Sequence, residues 1–403
     1  MRFTCEYPTL VNNLTDISNV IEDSMSSDEL KNIIFMFTRD SDGNGNAVMI
    51  GVNQLITFRR TIEYDKYSLE LTDEELADGA YYLQLKNKEL LDFLNSYKTV
   101  RKTTVKEVSF ELTDRNLIRC KVLETDNQTE QPYISSWTFN NVVLKPNVKA
   151  IISYVAPAPE SLVEIESVTL LFHTRNLLPI MTNVSSLYGQ MLMGDDFVVA
   201  FNSAYVTLMK NATDSKGVFE GVKLSYRAIA FIDKIICAED YVSVAKMEQH
   251  IYFKTSNSEA FIVYDTKMAE YRNYVEAFKR DHAITLDRVM LKDILKRLSL
   301  TKDSVEITIK SADSVVSLAN TKYTQEIPLI QNKAMDEFGT VGFKIMPDVL
   351  NKAIIGADEE FSGELYVYYC PQQQQGNAVI VFSDSSGAWF SVVKVKTFRR
   401  DNL

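Results

Sequence analysis

The sequence repeats one pattern six times: a short strand, a polar break, and a helix with apolar residues at fixed positions. Written from the strand onward, the copies read FTCEYPTLVNNL, YLQLKNKELLDFL, TLLFHTRNLLPIM, GVKLSYRAIAFID, AITLDRVMLKDIL and GFKIMPDVLNKAI. One helical position is then shared by Leu10, Leu90, Leu177, Ile229, Leu291 and Leu350. The position one turn later holds Leu14, Leu94, Met181, Asp233, Leu295 and Ile354. Repetition at a spacing of roughly 50–90 residues indicates tandem supersecondary units.

Each repeated helix is followed by sequence that predicts strands, most clearly in the fifth copy. Ala283–Leu286 predicts a short strand, and Asp287 can cap a helix whose apolar residues recur at i, i+3, i+4 and i+7. Three β-branched or aromatic runs come next, at Val305–Ile309, Ser314–Ala319 and Tyr323–Leu329. The predicted fold class is therefore α+β, built from tandem β-α-β-β-β units with antiparallel sheets.

The length of the chain predicts several domains. A chain of 403 residues is too long for one ordinary core. Two repeats in tandem make a domain of about 110–150 residues. The proline-containing stretch Lys145–Glu160 and the charged stretch Asp265–Asp281 provide boundaries. We therefore predict three similar domains of two repeats each, at residues 1–148, 149–270 and 271–403.

The composition is typical of a soluble globular protein. Apolar residues make up 46% and charged residues 24% of the chain, and no apolar run approaches the ~20 residues that cross a bilayer. The N-terminal MRFTCEYPTL lacks a signal-peptide core, so we expect a cytoplasmic protein with no membrane partner. The cysteines lie far apart and are predicted to be buried small apolar residues in a reducing compartment: Cys5, Cys120, Cys237 and Cys370.

Signatures of catalysis or metal binding are weak. Residues 40–51, DSDGNGNAVMIG, imitate the start of an EF-hand loop, but the twelfth position is Gly51 rather than a bidentate Glu. Asn-Gly and Asp-Gly between strands favour a hairpin turn instead. His173, His250 and His282 form no metal pair at i and i+4, and no GxSxG, HExxH or phosphate-binding glycine loop is present. We therefore expect a binding protein without a cofactor or metal, rather than an enzyme.

Basic residues recur on or beside the repeated helices. For any single one, the ordinary explanation is a solvated helix face. Together they indicate phosphate binding if the helices line one surface, because that binding needs positive charge rather than a base sequence. The net charge of −11 argues against a chain coated in such charge, but not against a local basic surface. The candidate DNA contacts are Lys88, Lys98, Arg175, Arg227, Lys234, Arg288, Lys292, Lys296, Arg297 and Lys352. The first helix breaks the pattern with Asn12, Asn13 and Asp16.

Three segments within the sixfold repeat carry a family resemblance. Residues 198–210, VVAFNSAYVTLMK, resemble a segment written TDGHRLA, whose D-G-H-R-L falls on Asn202, Ser203, Ala204, Tyr205 and Val206. Residues 269–278, AEYRNYVEAF, resemble PDYRRVLP, with Tyr271 and Arg272 kept. Residues 391–400, SVVKVKTFRR, lie where the family has a strand followed by MPMRL. In this order the segments resemble the bacterial DNA sliding clamps, the β subunit of the replicative polymerase.

This resemblance implies a ring-forming processivity factor. Six repeats per chain would make a half ring, so two chains head to tail would place twelve helices around duplex DNA and a continuous sheet outside. It also implies a homodimer, a clamp loader and the replicative DNA polymerase as partners. In the family the three segments line a cleft for client peptides, which here implies Tyr205, Val206, Ala269, Tyr274, Val275, Lys396, Thr397, Phe398 and Arg399.

The cleft residues depart from the family pattern. Ala269 replaces the proline, Asn273 and Tyr274 replace R-V, and Lys396–Arg400 lacks M-P. The client motif is therefore expected to differ from the usual bacterial one, which fits a divergent clamp such as a phage could encode. The alternative is a β-rich repeat protein that builds a viral particle, and it predicts neither a basic concave face nor a ring.

Overall fold

The computed structural model describes residues 1–21, 30–40, 42–99, 103–181, 190–193, 197–201, 205–210, 217–266, 283–301, 303–310, 315–333, 340–355, 364–371, 377–383 and 389–399. Residue contacts divide the chain into two compact units. Unit 1 comprises Met1–Glu164 and Lys234–Val263, and unit 2 comprises Ile165–Asp233 and Tyr264–Leu403. Each unit therefore takes part of the segment that the sequence predicts as the middle domain.

The predicted order of strand, helix and three strands is confirmed in the first three repeats. Repeat 1 consists of β1 (Arg2–Glu6), α1 (Tyr7–Ile21), β2 (Asn32–Arg39), β3 (Gly45–Val52) and β4 (Ile56–Thr61), followed by β5 (Tyr67–Glu70). Repeat 2 consists of β6 (Tyr81–Lys86), α2 (Asn87–Ser96), β7 (Thr103–Leu112), β8 (Leu117–Asp126) and β9 (Pro132–Asn140), followed by α3 (Pro146–Ile152). Repeat 3 consists of β10 (Val163–Glu166), α4 (Ser167–Met181), β11 (Gln190–Met193), β12 (Phe197–Phe201) and β13 (Tyr205–Lys210).

The remaining three repeats keep the same order. Repeat 4 consists of β14 (Val222–Ser225), α5 (Tyr226–Ile236), β15 (Tyr241–Lys246), β16 (His250–Lys254) and β17 (Ser258–Val263). Repeat 5 consists of β18 (Ala283–Asp287), α6 (Arg288–Ser299), β19 (Val305–Lys310), β20 (Val315–Ala319) and β21 (Thr324–Pro328), followed by β22 (Gln331–Lys333). Repeat 6 consists of β23 (Thr340–Ile345), α7 (Pro347–Ile355), β24 (Glu364–Pro371), β25 (Asn377–Ser383) and β26 (Trp389–Arg399).

Successive repeats exchange the strands that precede their helices. Strand β1 pairs with β7 of the second repeat, and β6 pairs with β2 of the first. Strand β18 likewise pairs with β24, and β23 pairs with β19. All these pairings are antiparallel. A single repeat therefore leaves its own sheet incomplete, which is why the sequence pattern recurs in pairs.

In unit 1, β4 and β17 join, which are the third strands of repeats 1 and 4 when strands are counted after the helix. One sheet runs β5-β1-β7-β8-β9, and a second contains the order β15-β16-β17-β4-β3-β2-β6. Arg59 on β4 holds the β4–β17 junction, since its Nη1 lies 3.3 Å from Glu259 Oε2 and its Nη2 donates to the carbonyls of Ile152 and Tyr154. Its guanidinium also lies 4.9 Å from the ring centroid of Phe261. Arg59 thereby ties the stretch after α3 to the sheet.

In unit 2, the third strands of repeats 3 and 6 join in the same way. The sheet path is β14-β11-β12-β13-β26-β23-β19-β20-β21, with β18, β22, β24 and β25 attached beside it. Across the β13–β26 junction, Thr207 lies opposite Ser391, and their buried hydroxyl groups hydrogen-bond. Both units therefore use the third strand of a repeat to connect pairs of repeats.

Aromatic rings fill the core between the sheets and helices of unit 1. Phe3, Phe35, Phe37 and Phe110 are fully buried, and the Phe3 and Phe37 ring centroids lie 5.1 Å apart. Burying rings of this size contributes about 1.5–3 kcal/mol each. Phe35 and Phe37 are two residues apart on β2, so both rings point to the same face of the sheet.

The third repeat differs from the prediction. The sequence TLLFHTRNLLPIM was assigned as strand followed by helix, but all of it lies inside α4, and the strand is Val163–Glu166. The helical positions predicted for Leu177 and Met181 are therefore occupied by Leu170 and Thr174. These are the fourth and eighth residues of α4. The apolar, β-branched start of α4 is locally typical of a strand, and tertiary packing overrides that preference.

Two smaller predictions can also be settled. The stretch at residues 40–51 begins with a hairpin turn between β2 and β3, as expected, and continues into β3: the Asp40 carbonyl accepts from Gly43 N at 3.1 Å, and Gly43 has a φ of +85° that a side chain would disfavour. Cys5 and Cys120 are buried as predicted, but the prediction for Cys237 is wrong because it is exposed at the end of α5. The Cys370 side chain lies outside the described residues.

Candidate nucleic-acid interface

The fifth repeat builds its basic helix as the sequence predicts. The Asp287 carboxylate accepts a hydrogen bond from Met290 N at 2.9 Å and so caps α6. The apolar stripe is buried and consists of Leu291, Ile294, Leu295 and Leu298. The cap fixes where the helix starts, and the stripe fixes which side faces the core. Lys296 and Arg297 are consequently exposed on the other side.

The exposed cations of α6 have only weak partners. Lys296 Nζ lies 3.6 Å from Asp293 Oδ1, in a pair that is largely open to water. Arg297 Nη1 donates to the Tyr323 hydroxyl at 3.2 Å. Lys292 is half-buried. Exposed pairs of this kind contribute about 0–1 kcal/mol, so an incoming anion can replace them at little cost.

Arg288 does not lie on that face. It is the first residue of α6 and only 5% exposed, whereas the sequence prediction placed it with the phosphate-binding cations. Its side chain is buried where β18 turns into α6. The expectation that the Arg288 side chain lies on the exposed face of α6 is therefore corrected: the side chain is buried.

The helices of repeats 3 and 4 contact each other through polar groups. Thr174 on α4 is fully buried, and its Oγ1 donates to Asp233 Oδ1 on α5 at 3.1 Å. Arg175 Nε lies 3.4 Å from the same carboxylate oxygen, while 60% of the Arg175 side chain stays exposed. The sequence singled out Arg175 and the unusual Asp233, but the shifted alignment of repeat 3 concealed that they meet.

Lys234, next along α5, contacts the first helix. Its Nζ donates to Asn19 Oδ1 on α1 at 3.0 Å, and both residues are exposed. Arg227, near the start of α5, is half-buried. The amide-rich face of α1, which breaks the basic pattern, therefore serves as the acceptor for a lysine from another repeat.

The negative charge of Asp16 on α1 is offset by an arginine that sequence reasoning missed. Arg60 on β4 lies 3.4 Å from Asp16 Oδ2, and its Nε donates to Asn13 Oδ1 at 2.8 Å. Partial burial raises the pKa of the Asp16 carboxyl, and the charges of Arg60 and Lys234 offset part of that rise. Arg60 lies on a strand, so no helical periodicity pointed to it.

The remaining predicted contacts are placed only in part. Lys88 on α2 and Lys98 just after it are exposed. Lys352 lies on α7, but its side chain is outside the described residues. Within the described chain, no cluster of His, Cys, Asp and Glu side chains could hold a metal ion. The helices in that part of the chain are all too short or too polar to span a bilayer.

Two of the three segments predicted to line a peptide cleft lie on adjoining strands. Tyr205 and Val206 start β13 and pair with Val393 and Val392 of β26. Lys396, Thr397, Phe398 and Arg399 continue β26, where they pair with β23. Their side-chain positions are outside the described residues, as are Ala269, Tyr274 and Val275 entirely. The backbone thus brings two of the segments together and leaves the third untested.

Comparison with known proteins gives a clear structural match and no sequence match. No protein-family model matches the sequence, and no curated protein matches it. The DNA polymerase III beta chain of Streptococcus pneumoniae is 14% identical with a TM-score of 0.72, and 99% of each chain is covered. The DNA polymerase sliding clamp of Bacillus subtilis is 13% identical with a TM-score of 0.71 and the same coverage.

A third similar structure includes a bound peptide. The Helicobacter pylori beta clamp bound to a DNA ligase peptide is 11% identical with a TM-score of 0.67, covering 98% of this chain and 99% of the other. At these identities the likeness concerns the fold. Along nearly its whole length, the chain has the fold of the bacterial DNA polymerase III beta subunit, the DNA sliding clamp, as the three sequence segments predicted.

Proposed function

We propose that the protein is a DNA sliding clamp, a non-enzymatic processivity factor that encircles duplex DNA as a ring. The observation that carries this proposal is the full-length likeness to solved clamps at TM-scores near 0.7. In the proposed ring, the chain forms three domains, at residues 1–148, 149–270 and 271–403. The repeated helices face the DNA and the sheets face outward.

The distribution of charge supports this function. The chain has a net charge of −11, yet exposed cations occur on or beside the repeated helices: Lys88, Lys98, Arg175, Lys234, Lys296 and Arg297. A closed ring holds DNA by topology, so its inner surface needs only weak, sequence-independent phosphate contacts. An acidic exterior disfavours DNA binding on the outside. Lys292, Arg227 and Lys352 would extend the same surface.

Strand topology supports closure of the ring by a second copy of the chain. The third strands of repeats 1 and 4 pair with each other, as do those of repeats 3 and 6. The third strands of repeats 2 and 5, β9 and β21, end their sheets within the described chain. Unpaired edges invite pairing with another chain. We propose that β9 of one protomer pairs with β21 of its partner, which continues the same rule and forms a homodimer.

The surface of β9 suits such an interface. Ile134 is 71% exposed, and Trp137 is 51% exposed while its ring lies tilted against that of Phe93 on α2, with the two centroids 5.7 Å apart. Tyr133 lies on the same strand and is 48% exposed. Large exposed apolar side chains on an unpaired edge strand favour pairing with another chain. Pairing with a second copy would cover them.

The proposed clients bind at the β13–β26 region. The Helicobacter pylori clamp binds a DNA ligase peptide, and this chain brings onto adjacent strands two of the three segments that the family resemblance assigns to a peptide cleft. Apolar client side chains would bury against Tyr205, Val206, Tyr274, Val275 and Phe398. The replicative DNA polymerase and a clamp loader are the proposed partners, in the cytoplasm of a bacterium or of a phage-infected host.

A size measurement and particle images test the proposal together. The purified chain should sediment at twice the mass of one chain and appear as a ring with a hole wide enough for duplex DNA. Ile134→Asp should reduce the sedimenting species to one chain, because it places a charge in the proposed interface. Val155→Asp is the control, since Val155 is 79% exposed and follows α3, outside β9. Particles without a hole would refute the ring and favour the viral assembly protein.

A further inference from the structure

The eighth residue of each repeated helix separates repeats 3 and 4 from the rest. Positions are counted from the first residue of each helix. The fourth position is apolar and buried in all six repeats: Leu10, Leu90, Leu170, Ile229, Leu291 and Leu350. The eighth position is Leu14, Leu94, Leu295 and Ile354 in four repeats, all at most 1% exposed. In the other two it is Thr174 and Asp233.

These two polar residues contact each other and Arg175. Thr174 Oγ1 donates to Asp233 Oδ1 at 3.1 Å, and Arg175 Nε lies 3.4 Å from that same oxygen. The Asp233 side chain is 26% exposed, and that of Arg175 is 60% exposed. Withdrawing a carboxylate from water is unfavourable unless hydrogen bonds and a cation offset it. An apolar pair, as in the other repeats, would fill the same helix contact without that cost.

We propose that Asp233 is a positioning residue that competes with DNA phosphates for Arg175. The inference rests on the proposed function, because it requires duplex DNA beside α4. The carboxylate holds the guanidinium at the helix surface and offsets its charge. A phosphate that approaches Arg175 meets a charge already partly offset by Asp233 and gains the Nε donor only by displacing the carboxylate, so the contact stays weak and exchanges readily. Thr174 supports the carboxylate oxygen from the buried side with a hydroxyl that it shares with the Leu171 carbonyl, 3.2 Å away.

A competing carboxylate suits a ring that must move along DNA. Phosphate contacts supply affinity in proportion to the cations that become available. A strong contact between Arg175 and a phosphate would have to be broken each time the ring moves along the DNA. A carboxylate that replaces the phosphate lowers the difference in free energy between the bound and released states. The polar pair therefore has a function that packing alone would not require.

The test is a double-mutant cycle measured by fluorescence anisotropy of a labelled duplex at several salt concentrations. Asp233→Asn should raise DNA affinity about two- to fivefold at low salt, as expected for releasing one exposed ion pair. It should also steepen the dependence of log affinity on log salt by about 0.9, one additional phosphate contact. In an Arg175→Ala background, both gains should vanish. A purely structural role for Asp233 would not change the salt slope through Arg175.

Two controls keep the result interpretable. Asp92→Asn on α2 makes the same change in net charge at an exposed position, and its effect should not depend on Arg175. If Asp233→Asn fails to fold, Thr174→Val with Asp233→Leu restores the apolar pair of the other repeats and should give the same gain.

The possible failures can be told apart. Equal effects of Asp233→Asn with and without Arg175 would overturn the positioning role while leaving the clamp proposal intact. No binding of duplex DNA by the unaltered protein, at any salt concentration, would overturn the positioning role, whereas particles without a central hole would overturn the clamp proposal and this inference together.

Discussion

Arg59→Met should destabilise unit 1, because Arg59 joins three parts of it. The substitution keeps an apolar stem but removes the donors to the carbonyls of Ile152 and Tyr154 and the cation beside Glu259. Hydrogen bonds to a charged group contribute about 1.5–3 kcal/mol each. Two effects reduce the loss: Glu259 can turn toward water, and the buried Arg59 Nε has no hydrogen-bond partner within the described chain. We therefore expect a loss of about 2–3 kcal/mol in the free energy of unfolding.

The two tryptophans make this loss measurable in one unit at a time. Trp137 lies in unit 1 and Trp389 in unit 2, so in a Trp389→Phe background fluorescence reports unit 1 alone. For a unit of this size, ~2–3 kcal/mol corresponds to a fall in Tm of about 4–12 °C. The stretch after α3 should also become sensitive to protease, because Arg59 no longer holds it.

Arg39→Met is the matched control. Arg39 also pairs with a carboxylate and a carbonyl, Asp73 at 2.6 Å and Leu71 O at 3.0 Å, but its side chain is 41% exposed and that of Asp73 is 92% exposed. Screening by water limits such a pair to about 1 kcal/mol. Equal losses from the two substitutions would refute the argument that burial gives Arg59 its weight.

Two further predictions concern buried positions. Gly51→Ala should cost about 1–3 kcal/mol in urea unfolding, because the added Cβ would lie 2.8 Å from Ile17 Cγ2 and 3.0 Å from the Ile17 carbonyl oxygen; an unchanged midpoint would show that α1 moves aside freely. Burial raises the pKa of the Cys5 and Cys120 thiols to about 12 each, so their stability contribution is complete below pH ~8.5 and falls as pH rises toward 12. Thermal unfolding between pH 8 and 11 should show this fall, less steeply in Cys120→Ala, and a thiol reagent should modify the exposed Cys237 first.

The repeat architecture could be predicted because its signals are local. The cap at Asp287 and the stripe from Leu291 to Leu298 depend only on spacing along one helix, and both are confirmed. The strands around them alternate or are β-branched, so their bounds differ from prediction by only one or two residues. Hairpin turns such as that at Gly43 follow from dipeptide chemistry in the same way.

The contacts between repeats could not be predicted, because they depend on residues far apart in sequence. Arg60 meets Asp16 only through the packing of α1 on β4. The contact between Thr174 and Asp233 was concealed because α4 starts seven residues earlier than the sequence pattern indicated. The start of α4 misled because its sequence, SVTLLF, is locally typical of a strand. Arg288 was misassigned for a related reason, since polarity alone does not show that a helix begins inside the core.

The β4–β17 junction has a consequence for the order in which the chain can fold during synthesis. Arg60 and Ser258, which hydrogen-bond across it, lie 198 residues apart. At a synthesis rate of about 5–20 residues per second, β4 emerges about 10–40 s before its neighbour exists. During that interval the nascent chain presents an open strand edge, a site for mispairing with other nascent chains on the same message. Strand β13 is likewise synthesised well before its partner β26. A chain that stalls before residue 389 would therefore have an incomplete sheet with an open edge, which chaperones could bind.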